Sequence, residues 1–425
     1  MKGRTHLFIL LTLVLGTLAA GCLSPAGGEG ESAFERLTRT SANQAMSIVD
    51  LPVQSLPATP LEAAWVRDYD KVIVGQVAPS GGFVLVRLAS PFGMRERLAV
   101  QLVSRTNELL WERPYPDRRL RDGLADIVGG ERYIASSVYF ADDRGTYYLY
   151  TLKGESVQTR VVSGPTVAAV SPDGQHAALH NTKYGQLQII QLPDRLGPLL
   201  RVSTQASVRF LDDETLLIME SNRAYTLDLE GRELSSYSFP GLLSVQVAAA
   251  QSGSRLAVTT SAPDAALSVL TRTGAQVWRT SLAAGGTSVP VVSGDRVLVY
   301  DVGPNAGVEL YDLTSGQVLW RRRLGVGLEG RVCVRKAVLA STGHVFIDFV
   351  TTVKGSSSYR ERRTLIVLDA DGSFLLKAEL GENVNVSFAA DGKSLVVSTN
   401  NTELWGIPKN QLSWYDLGTL LTKAR

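Results

Sequence analysis

Few side chains in this chain are of the types that catalyse reactions or bind metals. Its 425 residues include four histidines and two cysteines. His176 and His344 each follow a turn glycine, His180 ends a predicted strand, and no Cys-x-x-Cys pair occurs, so no transition-metal site is expected. The sequence LDADGS at 368–373 contains Asp-x-Asp-Gly but lacks the remaining ligands of a calcium loop, which favours a hairpin turn.

Paired acids and possible nucleophiles are also explained by local structure. The Asp-Asp pairs at 142–143 and 212–213 are predicted to be loop or turn carboxylates rather than a general acid and base. No Gly-x-Ser-x-Gly sequence stands at a strand-to-helix turn. The residue types therefore predict that the protein is not an enzyme and that it carries no metal.

The N-terminus holds the most specific chemical signal. Lys2 and Arg4 precede the apolar run 7–20, which has the length of a secretory signal rather than of a membrane span. AAGC at 19–22 resembles the lipobox of bacterial lipoproteins, which implies cleavage after Gly21 and a diacylglyceryl group on the thiol of Cys22. The alternative is an ordinary signal peptide with a chance cysteine. Each buried methylene contributes about 0.8 kcal/mol, so two acyl chains would give stable membrane anchoring.

Charge and cysteine content restrict the partners and the compartment. The formal charge of +2 comes from Lys2 and Arg4, because no acidic residue precedes Cys22, and the remainder is neutral. A neutral chain is not expected to bind nucleic acid. Cys333 is the only other cysteine, so the mature protein can form no internal disulfide; its alternating surroundings, RVCVRKAV, favour a buried strand residue.

Composition divides the chain into four regions. We expect a lipoprotein signal peptide at 1–21, a lipidated cysteine with a flexible tether at 22–61, a folded domain at 62–417 and a C-terminal tail at 418–425. The tether prediction rests on four prolines and the GGEGES stretch between 23 and 61. The folded domain consists of short β-rich runs and turn residues without a helical period, which predicts an all-β fold.

A repeat organises the folded domain. In TSGQVLW, Gly316 stands four residues before Trp320, and the same spacing joins Gly274 to Trp278, Asn107 to Trp111 and Asn410 to Trp414. Asparagine substitutes for glycine where φ is positive, so each copy predicts a left-handed turn. Four weaker copies bring the total to eight turn residues, 34 to 56 residues apart: Asn107, Gly154, Gly197, Gly231, Gly274, Gly316, Gly372 and Asn410.

Eight all-β repeats of this length predict an eight-bladed β-propeller of four-stranded antiparallel blades. Seven blades would result if the Asn410 copy is only a closing tail. Packing between blades is the role predicted for the four repeated tryptophans, which are Trp111, Trp278, Trp320 and Trp414. In one repeat, 287–292, 296–302, 308–313 and 317–324 are predicted as four successive strands, with the arginines at 321–323 on a solvated edge.

The repeat YDLTSGQVLW resembles that of pyrroloquinoline-quinone-type propellers, through Asp312, Gly316 and Trp320. SPDG at 171–174 and AADG at 389–392 resemble tryptophan-aspartate and TolB-like repeats. A propeller behind a lipobox is similar in plan to the propeller lipoprotein of the outer-membrane β-barrel assembly machinery, which implies a protein-binding scaffold. Quinoprotein dehydrogenases use adjacent cysteines, which this chain lacks, so no cofactor is expected. A small-ligand-binding or quinone-dependent oxidoreductase propeller is the alternative.

Loops between the second and third strands of the blades are predicted to share one face and to carry recognition. The longest is KGSSSYRERR at 354–363, and the others are 141–146, 181–185, 261–266 and 301–307. Tyr359, Arg360, Arg362 and Arg363 form the candidate contact patch, because Tyr and Arg are enriched in interface hot spots; a mobile solvated insertion is the alternative. The sequence thus predicts a monomeric scaffold with envelope protein partners, anchored to the outer membrane or to the outer face of the cell membrane.

Overall fold

A computed structural model describes most of the chain from residue 48 onwards. The residues described are 48–69, 72–78, 82–89, 99–114, 120–129, 133–140, 144–171, 173–193, 195–221, 223–238, 245–249, 254–260, 265–282, 288–302, 306–326, 328, 331–354, 359–382, 384–389, 392–399 and 410–424. The predicted signal peptide and Cys22 lie outside these residues.

The described residues form eight sheets, which we number as blades 1 to 8 in chain order. Strand β1 is Val49–Asp50 and β2 is Trp65–Tyr69. Blades 1 to 4 contain β3 to β18 in order: Val72–Val77, Phe83–Ala89, Ala99–Ser104, Leu109–Pro114; Leu120–Gly129, Tyr133–Phe140, Arg144–Thr151, Ser156–Ser163; Thr166–Val170, His176–Asn181, Gln186–Gln191, Arg195–Arg201; Ser207–Phe210, Leu216–Met219, Arg223–Leu227, Glu233–Ser238.

Blades 5 to 8 contain β19 to β33 in order: Val245–Ala249, Arg255–Thr260, Ala266–Thr271, Gln276–Ser281; Ser288–Ser293, Arg296–Asp301, Gly307–Asp312, Val318–Arg323; Arg331–Leu339, Val345–Lys354, Tyr359–Leu368, Phe374–Glu382; Val384–Phe388, Ser394–Thr399, Asn410–Asp416. Helix α1, Leu417–Ala424, follows β33. The fold class is therefore the predicted all-β, eight-bladed propeller of four-stranded antiparallel blades.

Side-chain patterning explains where the strands lie within each blade. The second and third strands of blade 6, β24 and β25, are almost entirely buried, so they read as continuous apolar runs. Fourth strands such as β18 alternate between buried and exposed residues, because one face packs and the other meets water. The four strands predicted for this repeat from the sequence match β23 to β26 to within one residue at each end.

Hydrophobic clusters lie between pairs of blades rather than within single sheets. In one cluster, Trp111 and Leu102 of blade 1 pack with Ile134 and Tyr150 of blade 2. In another, Val269 of blade 5 packs with buried residues of blade 6. Because a single blade cannot bury both of its faces, each one depends on a neighbour for its stability.

Residues with positive φ, one asparagine and five glycines, connect the third strand of six blades to the fourth. The φ values are 67° at Asn107, 79° at Gly154, 81° at Gly231, 95° at Gly274, 74° at Gly316 and 79° at Gly372. A register shift beside each turn marks a β-bulge. Two predicted turn residues were wrong: Gly197 lies inside β14, and Asn410 begins β33, so both belong to extended strands.

Blade 8 takes its fourth strand from the N-terminal side of the folded domain. Its strand order is β2-β33-β32-β31, and Trp65 of β2 lies opposite Trp414 of β33. The two indole rings stack with their centroids 6.0 Å apart. Trp414 therefore lies on the third strand of blade 8, and Trp65 on the fourth strand has the place that Trp320 has in blade 6.

The segment 48–60 is docked, which corrects the prediction of a flexible tether through residue 61. Strand β1 adds to β26 of blade 6 in parallel orientation, and the backbone N–H of Leu51 donates to the carbonyl of Arg323 at 2.9 Å. Val53 is 3% exposed within the core cluster of blades 6 and 7. Thr59 donates its backbone N–H to the carbonyl of Lys377 at 2.7 Å. Buried apolar surface and edge pairing outweigh the turn-forming composition here.

Val53→Asp is expected to undock this segment while the blades remain folded, because it places an unpaired carboxylate in an apolar cluster. Burial of a valine side chain stabilises a fold by about 1.5–3 kcal/mol. Loss of this free energy corresponds to about a ten- to hundredfold faster amide exchange at Leu51 and Thr59. Hydrogen exchange measures this directly. Gln54→Asp, at an exposed neighbour, is the matched control; equal exchange in both variants would contradict the docking.

Two compact units can be distinguished. Blades 5 to 7 with the segment 48–60 form one unit, and blades 1 to 4 with blade 8 form the other. None of the helices in the described part of the chain has the length and hydropathy needed to cross a membrane.

Candidate functional site

The sequence analysis overlooked one His-x-x-x-His pair, His176 and His180. Both histidines belong to strand β12. At about 3.3 Å per residue their backbones are about 13 Å apart, too far for one metal ion. The Nε2 atom of His180 lies 3.0 Å from the carbonyl oxygen of Ser203, and burial lowers the pKa of this imidazole. His180 is therefore a neutral core residue at pH 7.

The other suspected chemical groups serve turns. His344 is buried with its Nδ1 atom 2.7 Å from the hydroxyl of Thr342. In the 368–373 turn, the Asp371 carboxylate accepts the backbone N–H of Ser373 at 2.8 Å. Asp213 likewise accepts the backbone N–H of Asp173 at 2.8 Å. Within the described residues, no group of three or more His, Cys, Asp or Glu side chains could hold a metal.

Tryptophans on fourth strands lie against the turn glycine of the following blade. A Cβ atom at Gly154 would lie 2.5 Å from Cγ of Trp111, so only glycine fits beneath the ring. Trp320 covers Gly372 in the same way, and its indole Nε1 donates to the carbonyl of Ala370 at 3.0 Å. The pairs formed in this way are Trp111 with Gly154, Trp278 with Gly316 and Trp320 with Gly372. Each pair locks two consecutive blades together.

An arginine two residues after the tryptophan completes this contact in three blades. Arg113 donates through Nε to the carbonyl of Gly154 at 2.7 Å, and Arg322 does so to Gly372 at 2.7 Å. At blade 8, Arg67 donates to the carbonyl of Asn107 at 3.1 Å. The sequence analysis missed this role, although the signal is present as Trp-x-Arg at 65–67, 111–113 and 320–322. Trp278 departs from the pattern with Thr280.

The predicted contact patch at 354–363 contains both exposed and buried arginines. Tyr359 begins β29, so most of the stretch is strand and the link between β28 and β29 is only 355–358. Arg360 and Arg362 are exposed and lie 3.5 and 3.8 Å from the carboxylate of Glu382. Arg363 is buried and cannot contact a partner, which corrects that part of the prediction.

Arg363 is instead half of an ion pair inside blade 7. Its guanidinium donates to both carboxylate oxygens of Asp348, through Nε at 2.7 Å and through Nη2. Asp348 is 1% exposed and Arg363 is 4% exposed. Burial raises the pKa of Asp348 against the opposing influence of Arg363. The pair joins β28 to β29.

The sequence suggested that the arginines at 321–323 lie on a solvated edge, and the structure contradicts this. Arg321 is buried, with its Nε atom 2.9 Å from the Glu309 carboxylate. The hydroxyl of Tyr311 also donates to Glu309, and burial raises the pKa of this phenol well above its usual value. Arg323 pairs with Asp50, because β1 covers the edge of β26.

Of the two cysteines and the acidic pair at 142–143, the structure describes Cys333. Cys333 lies buried on β27 and is not in a disulfide. Cys22, Gly21 and the aspartates at 142–143 lie outside the described residues, so their predicted roles remain predictions. Every buried charged pair described above holds neighbouring strands together.

One strand edge in blade 3 presents apolar and basic side chains to solvent. Strand β14 has Leu196 and Leu199 exposed at 51% and 59%, the highest values among the exposed large apolar residues described. Arg195 and Arg201 at its two ends are exposed as well. Leu200 of the same strand packs on Gly231 of blade 4, in the place that tryptophan occupies elsewhere. Of the described surfaces, this edge is best suited to binding a protein segment.

Comparison with known proteins supports the same repeat type. Residues 220–323, in blades 4 to 6, match the family model of PQQ-like repeats described as outer membrane protein assembly factor BamB. No curated protein matches the chain.

Solved structures with a similar fold are propellers. The C-terminal WD40 domain of Sif2 is 11% identical with a TM-score of 0.58, covering 84% of this chain and 99% of that one. BamB from Moraxella catarrhalis is 12% identical with a TM-score of 0.51, covering 84% of this chain and 98% of that one. A eukaryotic initiation factor is 12% identical with a TM-score of 0.53, covering 84% and 87%. At these identities the similarity concerns the fold. The chain is accordingly an eight-bladed β-propeller that matches the PQQ-like repeat model over residues 220–323 and is similar in fold to BamB.

Proposed function

We propose that this protein is a lipid-anchored, extracytoplasmic β-propeller that acts as a non-catalytic protein-interaction scaffold in the cell envelope. The observation that carries the proposal is the match of residues 220–323 to the family model described as an outer membrane protein assembly factor. Within the matched region, Trp278 of blade 5 lies against Gly316 of blade 6. Such contacts favour a rigid support that presents its edges and loops to other proteins.

The distribution of charged side chains supports a scaffold over an enzyme. Catalytic acids and bases converge on a cleft with pKa values set for proton transfer. In the described residues, two buried charged pairs, Asp348 with Arg363 and Glu309 with Arg321, join neighbouring strands within one blade. Each of these groups is already committed to a partner that holds the fold together.

The anchor in this proposal is the thiol of Cys22. AAGC at 19–22 follows an apolar run of secretory length, and two acyl chains would supply stable membrane attachment. The proposed location is the outer membrane or the outer face of the cell membrane. Envelope proteins are the proposed partners, and the propeller is proposed to act as a monomer.

Cys22→Ala is expected to move the protein from the membrane fraction to the soluble fraction, with its thermal unfolding midpoint unchanged, because the lipid would contribute to anchoring and not to the core. Fractionation and immunoblotting of both forms provide the measurement. Cys333→Ala is the control and should remain in the membrane fraction. Persistent membrane binding of Cys22→Ala would show that the folded domain docks by itself.

Crosslinking in cells, followed by mass spectrometry, tests the scaffold role. The tagged lipoprotein should capture a reproducible set of envelope proteins that an unrelated lipoprotein of the same membrane does not capture. If no protein is enriched over that control, the scaffold proposal fails, and a small ligand becomes the next candidate.

A further inference from the structure

The protein itself shows how a blade edge accepts an extended segment. Strand β1 lies beside β26 with Asp50 opposite Arg323. The Asp50 carboxylate accepts two hydrogen bonds from the Arg323 guanidinium, at 2.8 and 3.0 Å. Leu51 and Leu319 pack against the same core cluster that contains Val53. The bound segment, IVDLPV at 48–53, is thus apolar, acidic and apolar in turn.

Corresponding leucines on two other blades are more exposed. Leu319, which precedes Trp320, is partly buried and packs against the same core cluster as Leu51 of the docked segment. Leu110 precedes Trp111 on β6 and is exposed, as is Leu199, which precedes Leu200 on β14. Strand β14 differs from β6 in charge: its sequence RLGPLLR contains two arginines and no acid, whereas β6 contains Glu112 beside Arg113.

The basic and apolar surface extends past the end of β14. The turn between β12 and β13 presents Lys183 and Tyr184, with the Lys183 ammonium 5.4 Å from the tyrosine ring centroid. Val202, directly after β14, donates its backbone N–H to the carbonyl of Gly185 in this turn at 2.9 Å. We name the combined surface the β14 edge: Lys183, Tyr184, Arg195, Leu196, Leu199 and Arg201.

Arginines of the β14 edge have charge available for a partner. Among the residues that the structure describes, no acid forms an ion pair with Arg195 or Arg201. Pro198 lacks an N–H and removes one donor from the strand, so it restricts pairing to the stretch from Leu199 to Arg201. That stretch is long enough for a two-residue pairing such as the one β1 makes on β26.

We propose that the β14 edge binds an extended apolar–acidic–apolar segment of a partner protein by strand pairing, with an acidic side chain on Arg201 and apolar side chains over Leu196 and Leu199. The proposal rests on the scaffold function and names the class of partner segment. Main-chain hydrogen bonds would supply affinity, and the leucines and arginine would supply specificity.

A labelled peptide with the sequence of residues 47–54, SIVDLPVQ, is the probe. Binding to the full-length protein in detergent is measured by fluorescence anisotropy, and hydrogen exchange locates the site. Added peptide should protect amides between Leu199 and Arg201. Leu199→Asp and Arg201→Glu should each weaken binding at least tenfold, and a peptide with its aspartate changed to lysine should recover affinity for Arg201→Glu. Leu110→Asp, on the exposed edge of β6, is the matched control and should bind as the unmodified protein does.

Four outcomes would overturn the proposal. In the first, peptide binding is unchanged by Leu199→Asp and by Arg201→Glu, and in the second the peptide protects the amides of another strand edge. In the third, the protein alone dimerises with rising concentration and loses that dimer on Leu199→Asp, which would assign the edge to a second copy. In cells, envelope proteins still captured by Leu199→Asp would count against the β14 edge and leave the scaffold role standing. If the unmodified protein captures no envelope protein, that result would count against the scaffold role itself.

Discussion

Trp320→Ala is expected to lower the free energy of unfolding by about 3–5 kcal/mol, the usual range for removing a buried tryptophan. Trp320 is 2% exposed and lies in the largest cluster shared by blades 6 and 7. Its ring covers Gly372, and its Nε1 atom donates to the carbonyl of Ala370. The substitution therefore opens a cavity and leaves the partly buried carbonyl of Ala370 without its donor. Urea unfolding of the two proteins gives the difference directly.

Leu234→Ala is the control for this measurement. Leu234 lies exposed on β18, a fourth strand like β26, so its truncation should change stability by no more than about 0.5 kcal/mol. Gly372→Ala tests the same contact from the opposite side, because the new Cβ atom would meet Trp320 Cδ2 at 2.7 Å in a backbone with φ of 79°. Equal stability of Trp320→Ala and Leu234→Ala would contradict the blade-locking role.

Asp348→Ala is expected to destabilise the protein by about 3–5 kcal/mol, because it leaves the guanidinium of Arg363 buried without its counter-charge. Both partners are buried, and two hydrogen bonds join them between neighbouring strands. Urea unfolding measures the loss. The double variant Asp348→Leu with Arg363→Met should recover most of it, since apolar residues of similar volume remove the uncompensated charge.

A surface pair provides the comparison for this buried one. Arg223 and Glu233 lie on neighbouring strands of blade 4, with Nη2 of the arginine 2.6 Å from Oε2 of the glutamate. Their side chains are 38% and 41% exposed. Glu233→Ala should cost about 0–1 kcal/mol, because water screens exposed charges. If the double variant at Asp348 and Arg363 were as unstable as the single one, the loss would come from packing and not from the unpaired charge.

Local sequence was sufficient for the elements that depend on neighbours in the chain. The Gly316 turn was predicted because only a glycine-like residue adopts positive φ without strain, and its φ is 74°. The four strands around it follow from alternating and continuous apolar runs. The same reasoning failed at Gly197, which lies inside β14 at a register shift with β13 and does not have a positive φ.

The candidate site was predicted less well than the fold. Arg360, Arg362 and Arg363 are close in sequence, but strand alternation and cross-strand partners bury Arg363 and expose the other two. The β14 edge was missed because Leu196 and Leu199 read as ordinary strand residues. Their exposure depends on which strands of the blade have a neighbour on both sides, and no local pattern encodes that.

Residue types and spacing were enough to predict eight blades, six of the eight turns and the four strands of blade 6, because these depend on residues within one repeat. The contacts between distant parts of the chain could be read only from the folded protein. It placed Trp65 opposite Trp414, docked Val53 between blades 6 and 7, and covered β26 with β1. Such contacts are stabilised by buried apolar surface and by hydrogen bonds at strand edges. Both depend on the neighbours of a residue in three dimensions and not on the repeat period of the sequence.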